Sequence, residues 1–399
     1  MFIPWHYFRL VLIAGLTLPL AAPAAPAATR YSVTTVGVAG SSARDINLSG
    51  HVLGAYTDSI GATRGFLNTG GAPLDLGSLG GDTVAGALSD GATVAGSSTN
   101  RAGEDRAFSY ANGAMRDLGT LGGMYSRGYG VNHQGDIVGS ASTGNPDEWN
   151  LERAFVMSSG VMRNIGTLPN GDMSRARAIN NAGQVTGLSS VSTDGGPEHP
   201  YHAFLYSGGV MTDLGTLGGL YSEGYAINDR GAVVGDAGSM EEYPSGHGIR
   251  HAFLYVNGVM TDLGTLGGEE AGSTAFDINN LGQIVGEGKS GSVQRAFLYE
   301  NGALRDLNTL IDPAAGWMLQ EARAINDLQQ IAATGCKDGQ CYALRLDPTS
   351  AVPEPDTYAV LLLGLCMVGF AAQRATGVGA NRTVSSSGPH GAAAPPFAR

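Results

Sequence analysis

A seven-fold internal repetition constrains this chain more than any other feature. Phe66, Phe108, Phe155, Phe204, Phe253 and Phe297 recur in step, with Leu344 in the seventh place, at spacings of 42, 47, 49, 49, 44 and 47 residues. A second marker keeps the same step: Asp45-Ile46-Asn47, Ala87-Leu88-Ser89, Gly130-Val131-Asn132, Ala178-Ile179-Asn180, Ala226-Ile227-Asn228, Asp277-Ile278-Asn279 and Ala324-Ile325-Asn326. A short β-branched run follows each of them, as in Ile137-Val138-Gly139 or Ile284-Val285-Gly286. Units of this length cannot bury their apolar face alone and must pack against copies of themselves.

Every unit holds four short strand candidates bounded by Gly, Asn or Asp, and none holds a helix-period stretch. Four strands per unit predict an all-β fold, a seven-bladed β-propeller with four-stranded blades. Asn112-Gly113, Asn257-Gly258 and Asn301-Gly302 fall between the third and fourth strands, where positive φ at both positions makes a tight hairpin. The seventh unit stops at Leu344-Arg345-Leu346 without a fourth strand, while residues 31–37 resemble a lone one. Pairing those two segments closes the ring and removes two exposed edges. The alternative is a β-solenoid, in which the termini lie at opposite ends of a rod. In the propeller, the Ala-Ile-Asn strand lines the central channel and the repeated aromatics fill the gaps between sheets. The repeated Asn residues cap turns.

Both ends read as addresses. Residues 1–28 have the apolar stretch and small-residue cleavage zone of a signal peptide. After the repeat body (29–347) and a Pro-rich linker (348–356), residues 357–374 carry an apolar helix ending at Arg374, and 375–399 are expected to be a disordered tail. Fifteen apolar residues, 358–372, rise only about 22 Å as a helix, which suits transient membrane insertion better than a permanent span. Val352-Pro353-Glu354-Pro355, the apolar run and Arg374 resemble the PEP-CTERM sorting signal of Gram-negative bacteria. That resemblance implies export, recognition by an exosortase and delivery to the cell envelope, the outer surface or the medium, often in cells making exopolysaccharide. His202-Ala203-Phe204 and His251-Ala252-Phe253 resemble the signature of the extracellular HAF repeat family, with Arg106, Arg153 and Arg295 in the place of His. Family membership implies no particular activity.

The formal charge of −12 and the lack of a basic run exclude a nucleic-acid binder. Chemistry is sparse. There is no zinc-type Cys/His spacing, nucleophile elbow or phosphate loop, so neither a metal nor a cofactor is expected. Asp75, Asp117, Asp213, Asp262 and Asp306 recur before Leu, one per unit, which suits turn capping rather than calcium. Cys336 and Cys341 flank a tight Asp-Gly turn, a geometry that suits a disulfide.

The connections between second and third strands lengthen in the central units. They carry Asp147, Glu148, Trp149, Glu198, His199, Glu241, Glu242, Tyr243 and His247, acidic and aromatic groups of a kind that bind carbohydrate or a partner protein. The expected function is an exported, non-catalytic binding or scaffold module for a polysaccharide or surface protein. A hydrolase or lyase using paired loop acids and a passive spacer are the alternatives.

Overall fold

The repeat runs fold into strands of two to ten residues that climb and descend in antiparallel order. The computed structural model describes residues 29–144, 152–191, 200–242, 248–267 and 271–349. These form seven four-stranded sheets, six of them ordered from inside to outside as in the chain. The inner strands are Ser42–Ile46, Gly80–Leu88, Gly122–Val131, Ser174–Ile179, Gly218–Ile227, Ser273–Ile278 and Met318–Ile325. Six sheets take all their strands from one unit. The seventh takes its outer strand from the other end: Arg30–Thr35 pairs antiparallel with Gln340–Thr349, and Val33 faces Leu346. This seam closes the ring and rules out a solenoid. It is packed as well as paired, for Tyr31 is buried against Leu310, Ile311 and Leu346.

The hairpin turns form as their residues dictate. Asn112, Asn257 and Asn301 adopt φ of 52°, 52° and 53°, each followed by a glycine at positive φ. Cys336 and Cys341 face one another across another such turn, at Asp338-Gly339, and are disulfide-bonded.

The core lies between blades. Each repeated Phe is at most 1% exposed and projects onto the neighbouring sheet. Phe204, for example, clusters with Ala176, Ile179 and Val185 of its own blade and Val138 and Ala154 of the preceding one. Each Phe removes about 150–250 Å² from water, so six of them form the main apolar cement of the ring. Among the described residues no helix is long and apolar enough to cross a membrane. The segments read as signal peptide, sorting signal and tail lie outside the described residues.

Candidate functional site: the central channel

All seven inner strands break register at one residue. The shifts fall between Ala43 and Asp45, Ala85 and Ala87, Gly128 and Gly130, Ala176 and Ala178, Gly224 and Ala226, Ala275 and Asp277, and Ala322 and Ala324. A β-bulge leaves the extra residue unpaired and re-aims its side chain. Here the extra residues are Arg44, Gly86, Tyr129, Arg177, Tyr225, Phe276 and Arg323, and all seven line one cavity of about 310 Å³ in the channel. Ala or Gly flanks five of the seven bulges on both sides, which lets the inner strands crowd together around the axis. Three arginines, three aromatic rings and Gly86 thus meet at one level.

Two of these arginines are neutralised in place. Arg177 donates from Nε to Glu223 at 2.5 Å and lies between two rings, 4.8 Å from the Tyr129 centroid and 5.7 Å from that of Tyr225. Arg323 bonds Glu321 from Nε at 2.8 Å and stacks 3.9 Å from the Phe276 centroid. Both stacks are within cation–π range. Arg44 has neither arrangement. Its Nε is buried without a hydrogen-bond partner, and burial together with the Arg323 charge lowers its pKa.

One residue further along each inner strand, Asp45 and Asp277 replace the usual Ala or Gly. Each holds two backbone N–H groups: Asp45 those of Ile46 and Leu88, Asp277 those of Ile278 and Ile325. Each therefore staples its own blade to a neighbour. Burial pushes the Asp45 carboxyl up to about 8, with the Asp277 charge adding to it, and pushes Asp277 up to about 6.

The opposite mouth is an amide belt. The Asn of each Ile-Asn turn accepts backbone N–H groups of its own turn, as Asn180 Oδ1 does from Ala182 and Gln184. Its NH2 group also donates to the backbone carbonyl of the next blade's turn: Asn132 to Asn180, Asn180 to Asn228, Asn228 to Asn279, Asn279 to Asn326, and Asn326 to Asn47 across the seam. Asn47 reaches the Ser89 carbonyl, and Ser89 passes nothing on. Turn capping is thus half of what these residues do.

In the two blades that carry the repeated His, it pairs with the Asp of the same blade. His251 Nδ1 lies 2.7 Å from Asp262, and His202 Nδ1 2.8 Å from Asp213. Each Asp also accepts the N–H of Gly264 or Gly215 and so caps the turn. Among the described residues no cluster of His, Cys, Asp or Glu is arranged to hold a metal.

Asp147, Glu148, Trp149, Glu198, His199, Tyr243 and His247 lie outside the described residues, as do the side chains of Glu241 and Glu242 and the sorting residues Val352, Pro353, Glu354, Pro355 and Arg374. The strand ends that lead into those long loops, such as Thr143 and Glu152, open on the face where the inner strands begin. The arginine–aromatic level is nearer that face, and the amide belt nearer the other. The seven bulge residues escaped the repeat reading because the residue type at that position does not repeat. The legible signal was a small–variable–small triplet before each Ile-Asn or its equivalent.

Residues 218–347 match a family described as a protein of unknown function, DUF3466, and residues 351–375 match the PEP-CTERM protein-sorting motif. The motif points to an exported protein at the cell envelope and implies sorting by an exosortase. No curated protein matches the chain. Among solved structures, the chain is similar to the beta-propeller domain of the Trilobed protease from Pyrococcus furiosus, with a TM-score of 0.50, 7% identity, and coverage of 81% of this chain and 98% of that one. It is also similar to an acylaminoacyl peptidase of Pyrococcus horikoshii, with a TM-score of 0.50, 12% identity, and coverage of 77% and 51%, so that it spans about half of that enzyme. These likenesses are of fold alone.

Proposed function

We propose that this is an exported envelope protein whose propeller binds an extracellular polysaccharide or surface partner, without catalysis, at the channel mouth on the long-loop face. The observation that carries this reading is the convergence of Arg44, Tyr129, Arg177, Tyr225, Phe276 and Arg323 at one level of the channel. Binding sites combine apolar and aromatic walls with a few convergent polar groups, and this level has that character. The loop residues Asp147, Glu148, Trp149, Glu198, His199, Glu241, Glu242, Tyr243 and His247 belong to the connections between strands that end on this face, and their acidic and aromatic groups suit the same binding role. Hydrolysis is less well supported, because the carboxylates at the channel level are engaged: Glu223 by Arg177 and Tyr225, and Glu321 by Arg323 and Thr334. Sorting through the C-terminal signal would present the propeller outside the cell.

Retention of the full chain on immobilised envelope polysaccharide from its host tests the reading. Wild type should be retained and Trp149→Ala at least tenfold less, with no reducing ends released. Equal retention of the variant, or no retention of either, would refute it. Released sugar that disappears in Glu148→Gln or Glu241→Gln would establish the hydrolase instead.

A further inference from the structure

Arg44 is the one channel arginine at the bulge level with no carboxylate bonded to it, Glu321 acting on it only at a distance while bonded to Arg323. Arg177 has Glu223 and Arg323 has Glu321, but Arg44 bonds no carboxylate among the described residues, and its Nε is buried without a partner. Keeping a guanidinium partly desolvated beside a second one is unfavourable unless something else compensates it. The surroundings look built for an occupant. In the next blade the ring position is Gly86, which puts no side chain into the cavity beside Arg44, and Ser97 of that blade's second strand lines the same cavity. Beyond Gly86 stands Tyr129, with Tyr225 and Phe276 completing the aromatic wall.

The charge count limits what fits. Of the three guanidiniums at this level, Arg177 and Arg323 are hydrogen-bonded to Glu223 and Glu321, and Arg44 is bonded to neither. Asp45 and Asp277, next along the strands, have both oxygens engaged by backbone N–H groups. A monoanion suits one unbonded guanidinium, whereas a nucleoside phosphate brings two or more negative charges. A carboxylate suits the planar donor fork of arginine. Aromatic walls beside a cavity of about 310 Å³, near the lower end of ligand-site volumes, suit a single ring with an apolar face.

We infer that Arg44 seats the carboxylate of a uronic acid residue, a single unit or chain end of an acidic polysaccharide, with the sugar ring in the space beside Gly86 and against Tyr129. This rests on the binding reading above and narrows it to acidic sugars.

Titration calorimetry of the full chain with D-glucuronate, its neutral methyl ester, D-glucose and inorganic phosphate tests the inference. Glucuronate should bind at least tenfold more tightly than the ester, glucose or phosphate, and Arg44→Met should lower its affinity at least tenfold with an unchanged circular dichroism spectrum. Equal affinity for acid and ester, tighter binding of phosphate, an unaffected Arg44→Met, or no binding of glucuronate at millimolar concentration would each overturn it. Should Arg44→Met fail to fold, the wild-type comparison of acid against ester decides alone. A chain retained by host polysaccharide but indifferent to the acid refutes only this inference. A chain that binds glucuronate but no envelope polymer refutes the broader reading.

Discussion

Gly139 lies directly across the sheet from Phe155, and a Cβ at Gly139 would fall on the carbonyl oxygen of Arg127 and 2.9 Å from the Phe155 ring. The same glycine faces the same phenylalanine in five other blades: Gly54 and Phe66, Gly96 and Phe108, Gly187 and Phe204, Gly235 and Phe253, Gly286 and Phe297. Only the seventh blade departs, and both partners change together, with Ala333 facing Leu344. A flat ring laid over the strand needs a bare backbone beneath it, whereas the slimmer leucine leaves room for a methyl.

Gly139→Ala should therefore cost about 3 kcal/mol, the upper part of the overpacking range, because the obstacle is backbone and cannot swing aside. Ala333→Gly, which removes a tolerated methyl, should cost about 1 kcal/mol. Urea unfolding of both variants measures the difference. Equal costs would mean that the glycine–aromatic pairing is incidental.

The amide belt has one missing link, at Ser89, whose side chain only accepts the N–H of Thr93. Ser89→Asn should restore a donor to the Asn132 carbonyl and raise stability by about 1 kcal/mol, the net worth of an ordinary hydrogen bond. Asn180→Ala should lower it by about 3 kcal/mol, since two turn N–H groups and the Asn228 carbonyl lose their partner together. Thermal unfolding of the two single variants checks both signs, and a destabilised Ser89→Asn would show that the belt is not the source of blade cohesion.

What the sequence disclosed is what repeats. The period, the hairpins at Asn112-Gly113 and Asn257-Gly258, and the surplus strand that pairs Val33 with Leu346 are each written in local residue chemistry. The channel was not legible, because binding positions vary where scaffold positions recur. Arg44, Gly86, Tyr129 and Phe276 occupy equivalent bulges yet share no property that a periodic reading detects. The Asn residues misled in a milder way: their turn-capping oxygen is implied by local sequence, but their amide NH2 acts on a neighbour 42 to 51 residues on, or 279 back across the seam.

Stability should depend on pH in a direction set by the channel aspartates. The folded pKa of Asp45 is raised to about 8 and that of Asp277 to about 6, both above the ordinary value near ~4. A carboxyl with a raised folded pKa holds its proton more tightly folded than unfolded. Its contribution is therefore fully present at about pH 4 and is lost as pH rises to the folded value. Between about pH 6 and 8 the loss belongs to Asp45 rather than Asp277. The melting temperature of wild type should fall across that window, and Asp45→Asn should flatten the decline. Parallel profiles for the two proteins would show that Asp45 is ionised throughout.

Arg44 connects stability to binding. Its guanidinium is desolvated, lies in the field of Arg323 and has no hydrogen bond at Nε to offset either effect. Replacing a half-buried guanidinium that no carboxylate bonds by an apolar side chain of similar length is neutral or stabilising when packing is kept. Arg44→Met should accordingly raise the midpoint of urea unfolding by roughly 1–2 kcal/mol in stability, the reverse of what a structural arginine would give. Arg323→Met, which strands Glu321 in the same wall, should instead cost about 1–2 kcal/mol, as removing one side of a half-buried pair does. Were Arg44→Met destabilised as much as Arg323→Met, Arg44 would be part of the scaffold, and the channel would have no spare charge to offer a ligand.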